Sequence, residues 1–490
     1  MTPYERKKDF LPFSFALVLG MSFALAPAAS AAPLSLDAYL GQVIEGNQGL
    51  RAANLSSTAA DEKAGEASLA FSPRLEGSAT YRYDEQTPFP LGYESMQNWS
   101  YQFGLAYQTP IGLKSRAYYK LTTYEARGFT AFINPSGIEP FKYYEGSMNF
   151  ELALSLWNNL FGRGARAQRN AAEAGTLATK YGESYKAKSL LLASEAGYWK
   201  LALARESLKT AKDAVETALK MLNWAKRRSG LQLGDRSDVY QMEAAYQLRL
   251  LQLEQSTNEE RSAALAFNST RGSNAEEVKE ELVELAPDTL VTLQLPERAQ
   301  FRDDVKSAEY ARDAADANAI LGLERNSPTL ELTGTLSFWA RRRLDEGGSL
   351  SGSLAASLTN ENPSGSVGLR FEAPFDVFTV LNTRSGLNKD REAADLSYQR
   401  KVMDQEKEWV DLAKKFDEAK RRYKLILAIE HIQKEKSEYE RDRLNRGRTT
   451  SIQVLTFEQD FRTSQLNRIQ SQAEILNLVA QMKTFGGSRL

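Results

Sequence analysis

Few residues of this 490-residue chain have the type and spacing that catalysis requires. Cysteine is absent, which excludes disulfide bonds, thiol catalysis and cysteine-ligated metals. The one histidine, His431, lies in a long charged helical stretch, so a histidine-based triad or multi-histidine metal site is excluded by count. The carboxylate pairs Asp303-Asp304 and Glu259-Glu260 fall in charged helical stretches, where we expect solvated faces. The chain is therefore predicted not to be an enzyme and to hold no cofactor or metal.

The charge balance also argues against nucleic acid as a partner. The chain has 62 Lys and Arg residues against 63 Asp and Glu residues. Nucleic acid binding requires a basic excess on the binding surface, so no nucleic acid partner is expected.

The N-terminus has the three parts of a secretory signal peptide. Residues 6–8 are basic, residues 11–25 are apolar, and residues 29–31 (Ala-Ser-Ala) form a cleavage site, so the mature chain is expected to start at Ala32. A membrane-anchor helix is the alternative, but the apolar run is too short for one. No later run of 18 apolar residues follows, so the exported chain is predicted to be either soluble or a β-barrel.

The rest of the chain contains an internal repeat of helix, strand block, long helix, turn and long helix. A helical stretch over about 36–70 ends at Pro73, and another over about 298–324 ends at Pro328. Proline stops each helix and the chain becomes extended. The strand blocks are predicted at about 73–157 and 328–374.

Both strand blocks alternate between apolar and polar residues with period two. The apolar positions include Tyr101, Phe103, Leu105, Met148, Phe150, Leu152, Leu330, Leu332, Leu336, Val367 and Leu369. This pattern is typical of a lipid-embedded barrel with a wet lumen, and a half-buried sheet of a soluble sandwich is the alternative. Aromatic residues near the strand ends favour the membrane: Tyr81, Tyr83, Trp99, Trp157 and Trp339.

Proline-free runs of unusual length follow the strand blocks, at 164–228 and 383–446. Each is long enough for a helix of about 95 Å, which coiled-coil assemblies need and globular domains rarely do. Apolar residues repeat every seven positions: Leu201, Leu208, Val215 and Leu222, then Ala204, Ala211, Ala218 and Ala225, and in the second half Trp409, Phe416 and Tyr423 with Leu412, Ala419 and Ile426. Glycine is expected to end each long helix, at Gly230 and Gly447, and Ser237 and Thr450 to cap the returning helices.

In this order the motifs resemble those of the TolC-type outer membrane efflux protein family. They are the opening helix Leu34-Ser35-Leu36-Asp37-Ala38-Tyr39-Leu40, the junction Ser72-Pro73-Arg74-Leu75, the strand end Val367-Gly368-Leu369-Arg370-Phe371-Glu372-Ala373-Pro374-Phe375, and the helical turns at 234–243 and 447–458. Asn159 departs from the family pattern, which has proline there. The first strand block is also longer than the second, and its extra segment, about 99–129, is either a hairpin beyond the membrane or a pair of added barrel strands. We expect this segment on the extracellular side.

The resemblance implies an α+β membrane protein that combines outer-membrane β-barrel strands with a long periplasmic α-helical coiled-coil barrel, built from two repeats and trimeric. With four strands per chain, a trimer would have twelve. The predicted parts are the signal peptide 1–31, a first repeat 32–271 with long helices at about 162–271, an equatorial connector 272–296, and a second repeat 297–490 with long helices at about 383–485.

The function that the resemblance implies is a passive exit duct of a tripartite efflux or type I secretion system. Its partners would be outer-membrane lipid, a periplasmic adaptor protein and an inner-membrane transporter. A periplasmic coiled-coil adaptor is the alternative, but it would have a single long hairpin.

The resemblance also points to site residues at the helical turns. The candidates for the pore constriction are Gln453 and Thr456, where some members carry cation-selecting aspartates, and Asp235 and Asp238. The candidates for adaptor contact are Gly230, Gly234, Ser237, Val239, Gly447, Ser451, Val454 and Leu455.

Overall fold

The computed structural model describes residues 33–85, 93–128, 140–232, 234–283, 286–343, 349–359 and 362–486. The predicted signal peptide lies outside this part of the chain. Within it, none of the helices combines the length and the apolar character needed to cross a membrane.

Two short helices begin the described chain. The first, α1 (Leu36–Gly46), is capped by Ser35, and α2 (Gln48–Lys63) is capped by Asn47, whose side-chain oxygen accepts a 2.9 Å hydrogen bond from a backbone N–H one turn on. A 3₁₀ helix over Glu66–Phe71 then leads to the first strand. The stretch predicted as one helix is thus broken at Asn47, because its amide satisfies the free N–H groups of a new helix start.

Six antiparallel strands form one sheet in chain order: β1 (Arg74–Glu85), β2 (Ser95–Gln108), β3 (Leu113–Arg127), β4 (Phe141–Ser155), β5 (Thr329–Arg343) and β6 (Pro363–Glu372). Strands β4 and β5 pair although the chain between them forms long helices, with Phe150 opposite Leu336. In the described part of the chain, β1 and β6 each have only one neighbouring strand.

The strand register places the apolar positions on one face of the sheet. One row across all six strands contains Leu75, Leu105, Ala117, Phe150, Leu336 and Gly365. Because successive side chains point to opposite faces, the next row lies on the other side. That face is polar and includes ion pairs, such as Arg116 with Glu76 at 2.9 Å and with Glu151 at 3.8 Å. The predicted alternation is therefore matched by the register.

The extra segment of the first strand block forms strands β2 and β3 of this sheet. Its turn at 109–112 lies at the sheet end that leads into the helices: a Cβ at Gly112 would stand 2.9 Å from the backbone nitrogen of Gly162. The segment therefore adds two strands to the sheet and is not a separate hairpin. The expectation of four strands per chain is wrong, because β2 and β3 pair with β1 and β4 along their length. If this sheet spans the membrane, the segment spans it too and is not wholly extracellular.

Two hairpins of long helices extend from the sheet: α3 (Arg163–Gly230) with α4 (Arg236–Thr270), and α8 (Val377–Asn445) with α9 (Ser451–Lys483). The first helix of each has 68 or 69 residues, a length of about 100 Å. Helix α8 starts before the predicted residue 383. The reason is that the Asp376 carboxylate caps it, accepting a 3.0 Å hydrogen bond from the backbone N–H of Thr379.

Three shorter helices complete the α-helices of the described residues: α5 (Pro287–Thr292), α6 (Asp303–Arg325) and α7 (Leu350–Leu358). Helix α6 begins later than the predicted residue 298, because the residues before it are extended and bonded to α8: the backbone N–H of Arg302 donates to the side chain of Gln405 at 2.8 Å.

Segment 272–296 joins the two hairpins near their middle. Arg205 of α3 donates to the carbonyl of Glu280 at 2.6 Å, and Lys420 of α8 donates to the carbonyl of Leu293 at 2.6 Å. Aromatic cores lie on either side of it. Tyr39 stacks on Phe267 at 4.1 Å between ring centroids in the first core, and the second contains Phe416, Tyr423, Met482 and Phe485.

Candidate functional site

The candidate site is the pair of helix turns at the ends of the hairpins. In the first, α3 continues through Gly230, and the left-handed residue is Gln232, with φ of 60°. The side chain of Asp235 caps α4, accepting from the backbone N–H of Ser237 at 3.1 Å. Helix α3 ends at Gly230 as predicted, but the prediction that Ser237 caps α4 is wrong, since the carboxylate two residues earlier makes the cap.

The second turn follows the expected pattern. Gly447 is left-handed, with φ of 69°, and its N–H donates to the carbonyl of Leu444 at 2.9 Å. Thr450 caps α9, its hydroxyl accepting from the backbone N–H of Gln453 at 3.4 Å. Glycine is needed here because the position ends the helix in a conformation that disfavours a Cβ.

The two turns are joined by a small apolar core. Buried Leu222, Ala225 and Met242 of the first hairpin pack with Val239 and with Leu455 of the second. Of the adaptor-contact candidates, Val239 and Leu455 thus belong to the contact between the two hairpins. Ser451 and Val454 are buried, and Gly234 packs against Arg228.

The constriction candidates lie on the exposed side of α9. Gln453 and Thr456 are exposed, one helical turn apart, while Ser451, Val454 and Glu458 are buried on the opposite side. Their hydrogen bonds are local: Gln453 accepts from the Thr449 hydroxyl at 3.2 Å. In the first turn Asp235 is exposed and Asp238 is half-buried in the first turn of α4. Both sets are therefore at the hairpin tips, and whether either narrows a pore remains a prediction.

Three apolar side chains at the tips were not singled out by the sequence. Leu231 and Tyr240 are 70% and 71% exposed beside the first turn, and Ile452 is 48% exposed at the second. Single exposed apolar residues are ordinary, but three at adjacent turns form a surface suited to a protein partner. The sequence feature that could have indicated this surface is Tyr240, an aromatic residue about one turn after the cap of α4.

A buried ionic cluster lies behind the second turn and was also missed. Glu458 is 4% exposed and accepts from the Ser437 hydroxyl at 2.8 Å and from Arg441. Burial lowers the pKa of the nearby guanidinium groups of Arg462 and Arg249, the latter on α4. The cluster links α8 to α9 and brings α4 close to them.

A second ionic cluster ties the two hairpins together further from the tips. Arg468 of α9 contacts Glu206 of α3 at 2.5 Å and Glu430 of α8 at 2.7 Å, and donates to Gln472 at 2.9 Å. Burial raises the pKa of the Glu430 carboxyl above its ordinary value. No sequence pattern singled these residues out, because they come from three distant segments.

Three of the four carboxylates first considered for chemistry take part in ion pairs, and Asp303 and Asp304 are half-buried rather than on the expected solvated face. Asp303 contacts Lys188 at 2.8 Å, Asp304 contacts Arg302 at 2.7 Å, and Glu260 contacts Arg205 at 3.2 Å. His431 is exposed beside Glu435. In the described ranges, no three His, Asp or Glu side chains are grouped so as to hold a metal ion.

Comparison with known proteins gives matches among solved structures. No protein-family model matches the chain, and no curated protein matches its sequence. The outer-membrane channel OprN is 19% identical, with a TM-score of 0.65 over 92% of this chain and 90% of that one. CusC, whose structures concern transmembrane channel formation, is 14% identical, with a TM-score of 0.64 over 96% and 97%. The outer membrane protein VceC of Vibrio cholerae is 16% identical, with a TM-score of 0.64 over 92% and 96%.

These matches cover nearly the whole of each protein, and the shared part includes both the sheet and the long helical hairpins. The resemblance drawn from the sequence motifs is thereby confirmed, and the chain has the fold of the TolC-type outer-membrane channels.

Proposed function

We propose that the protein is a trimeric outer-membrane channel-tunnel, the passive exit duct of a tripartite efflux or type I secretion system. The observation that carries the proposal is the six-stranded sheet with one apolar and one polar face, joined directly to helices about 100 Å long. An apolar outer face and a polar inner face suit a barrel in lipid around an aqueous lumen.

The sheet edges support assembly from several copies. An unpaired strand edge in lipid leaves N–H and C=O groups without partners, at a cost of several kcal/mol each. Six strands are too few for a barrel with a lumen, since about eight only enclose their own side chains. Three copies of this sheet supply about eighteen strands, the size at which porins leave an aqueous channel. The added strands β2 and β3 would thus give a wider barrel than the twelve strands expected from the sequence.

The helices suggest how the duct continues away from the membrane. Helix α8 presents a largely exposed side with apolar residues at Leu396, Met403 and Val410, which a neighbouring copy would cover. We assign 32–271 and 297–490 to two repeats, and 272–296 to the connector around the middle of the tube. The tube would lie in the periplasm.

The tips are proposed to meet the partners. Exposed Leu231, Tyr240 and Ile452 form an accessible apolar surface at the end of the helices. A periplasmic adaptor protein would dock here and connect the duct to an inner-membrane transporter that supplies the energy. Of the sequence candidates, Gly230, Ser237 and Gly447 share this surface.

Expression of the full chain is expected to yield an outer-membrane protein that lacks residues 1–31. On gel electrophoresis in SDS it should migrate as a trimer when unheated and as a monomer after boiling, because a closed barrel resists SDS at low temperature. Recovery of a soluble periplasmic monomer would refute the proposal.

The orientation of the sheet can be tested with two adjacent residues. Leu336 is 45% exposed on the apolar face, and Thr335 lies on the polar face opposite Glu151. Leu336→Lys should reduce the yield of membrane trimer severalfold, because a lysine in the middle of the lipid costs about 2–4 kcal/mol per copy. Thr335→Lys should assemble normally, since its ammonium group faces water and a carboxylate. Equal yields of the two variants would contradict a lipid-facing apolar side.

A further inference from the structure

The short helix α7 lies on the apolar face of the sheet, over β4 and β5. Its Ser353 hydroxyl lies 3.4 Å from the carbonyl oxygen of Tyr144, and its Ser357 hydroxyl lies 3.4 Å from the Tyr119 hydroxyl. A side chain at Gly146 would collide with Tyr119 and stand 3.0 Å from the carbonyl of Ser353. The helix therefore fits closely against the strands because small residues lie beneath it.

The place of α7 excludes a role in contacts between copies. It covers inner strands of the sheet, and the edges that a neighbour would pair with are β1 and β6. In a closed barrel the apolar face points outward. The surroundings of α7 are therefore lipid or the external solvent.

The strand register fixes the height of α7 on the sheet. The row that contains Gly146 runs across four strands, with Tyr101 on β2, Leu121 on β3, Gly146 on β4 and Ala340 on β5. In the next row on this face, further from the long helices, Trp99 stands opposite Thr123, and Thr123 stands opposite Tyr144.

Aromatic side chains at this height form the girdle typical of a membrane interface. On β1 and β2 the girdle contains Tyr81, Trp99 and Tyr101, and the ring centroids of Tyr81 and Trp99 are 4.8 Å apart. The Trp99 row continues to Tyr144 on β4, whereas the Tyr101 row continues to Gly146 and Ala340, and Ala340 is fully buried under α7. The helix thus covers the part of the girdle where the Tyr101 row has no aromatic residue on β4 and β5.

The distance along the strands agrees with an interface. Leu154, near the helical end of the sheet, lies eight residues from Gly146 on the same face. Eight residues span about 27 Å along a strand, or roughly 20 Å of height at a typical barrel tilt, close to the ~25 Å apolar band. Beyond α7 the same face becomes charged, with Lys142 paired to Glu125 at 2.9 Å.

The chemistry of α7 suits the boundary between acyl chains and headgroups. Residues 349–359 contain no charged side chain. Ser353 donates to the carbonyl of Ser349 at 3.1 Å, so this buried hydroxyl is satisfied, and the helix satisfies most of its own backbone. A charged or open loop at this height would be costly in lipid.

We propose that α7 is an interfacial lipid-contacting helix that completes the outer girdle over β4 and β5, with exposed Ala355 against the lipid. The proposal rests on the proposed membrane barrel and adds a lipid contact made by a helix outside the strands.

The absence of cysteine allows a direct test with single labelled positions in the full chain. Ala355→Cys, Phe150→Cys on the mid-height apolar face and Ser366→Cys on the polar face would each carry an environment-sensitive fluorophore. The proteins would be reconstituted in phosphatidylcholine vesicles containing lipids spin-labelled near the headgroup or deep in the acyl chain.

At Ala355→Cys we expect quenching at least about twofold stronger by the shallow than by the deep spin label, and little quenching by aqueous iodide. The Phe150→Cys label should respond more to the deep spin label, and the Ser366→Cys label to iodide alone. If the Ala355→Cys label responds only to iodide while the Phe150→Cys label responds to lipid, α7 lies above the membrane and the inference is wrong. If neither responds to lipid, the proposed membrane barrel itself fails.

Discussion

Gln453→Asp is expected to increase the preference of the channel for cations over anions by about fivefold or more. Gln453 is exposed and neutral at the tip of α9, one turn from the neutral Thr456. With no fixed negative charge on either side chain, a ring of three copies of each should concentrate cations little. The wild type should therefore show weak cation selectivity and little block by multivalent cations.

The size of the change follows from the added charge. A unit charge about 4 Å from an ion in water contributes about 1 kcal/mol, which corresponds to roughly a fivefold change in local concentration. Three aspartates in a trimer act together, and they attract cations while repelling anions. Block by multivalent cations should strengthen in the same variant.

Reversal potentials of single channels in asymmetric salt measure this selectivity. Thr463→Asp is the matched control, because it adds the same charge to the same helix seven residues beyond Thr456, about 10 Å further from the tip. Its effect should be smaller, since screening acts over about 8–10 Å at ordinary salt.

The first turn offers the competing constriction. Strong cation selectivity in the wild type that is unchanged by Gln453→Asp and is lost in Asp235→Asn or Asp238→Asn would place the narrow point there. That result would remove Gln453 and Thr456 from the pore constriction.

Arg468→Met is expected to destabilise the helical part of the protein by about 3–5 kcal/mol, the usual cost of removing one partner of a buried ion pair. The substitution keeps much of the side-chain volume and removes the cation between Glu206 and Glu430. Both carboxylates then lose their shared partner at the junction of α3, α8 and α9.

The loss of stability in Arg468→Met should depend on pH. Burial raises the pKa of Glu430, so the folded protein retains a proton on this carboxyl at higher pH than the unfolded chain does. The contribution of such a group to stability falls as pH rises. Without Arg468 the effect grows, and the deficit of the variant should be larger at pH 8 than at pH 5, because more of this carboxyl is protonated at the lower pH.

Thermal unfolding of the detergent-solubilised protein, followed by helical circular dichroism, measures both effects. Lys415→Met serves as the control, because Lys415 forms only an exposed pair with Asp411 and its loss should leave unfolding unchanged. The triple variant Arg468→Met/Glu206→Gln/Glu430→Gln should recover much of the stability. A deficit that is the same at both pH values, or no recovery in the triple variant, would show that the charges are not its cause.

Features that depend on neighbours along the chain could be predicted from the sequence alone. The apolar alternation around Phe150 and Leu336 has period two, and a sheet face has the same period, so the apolar side of each strand could be predicted without the pairing. The proline-free runs marked the long helices, and Gly447 and Thr450 marked one turn, because helix stops and caps are local chemistry.

Features that depend on residues far apart in sequence could be seen only in the folded chain. Alternation does not say which strand pairs with which, so the insertion of β2 and β3 and the pairing of β4 with β5 came from the sheet itself. The contact of Arg468 with Glu206 and Glu430 joins three distant helices, and no local period encodes such a contact. The place of α7 on the apolar face likewise depends on Gly146 lying beneath it, 200 residues earlier in the chain, where a larger side chain would have kept the helix away.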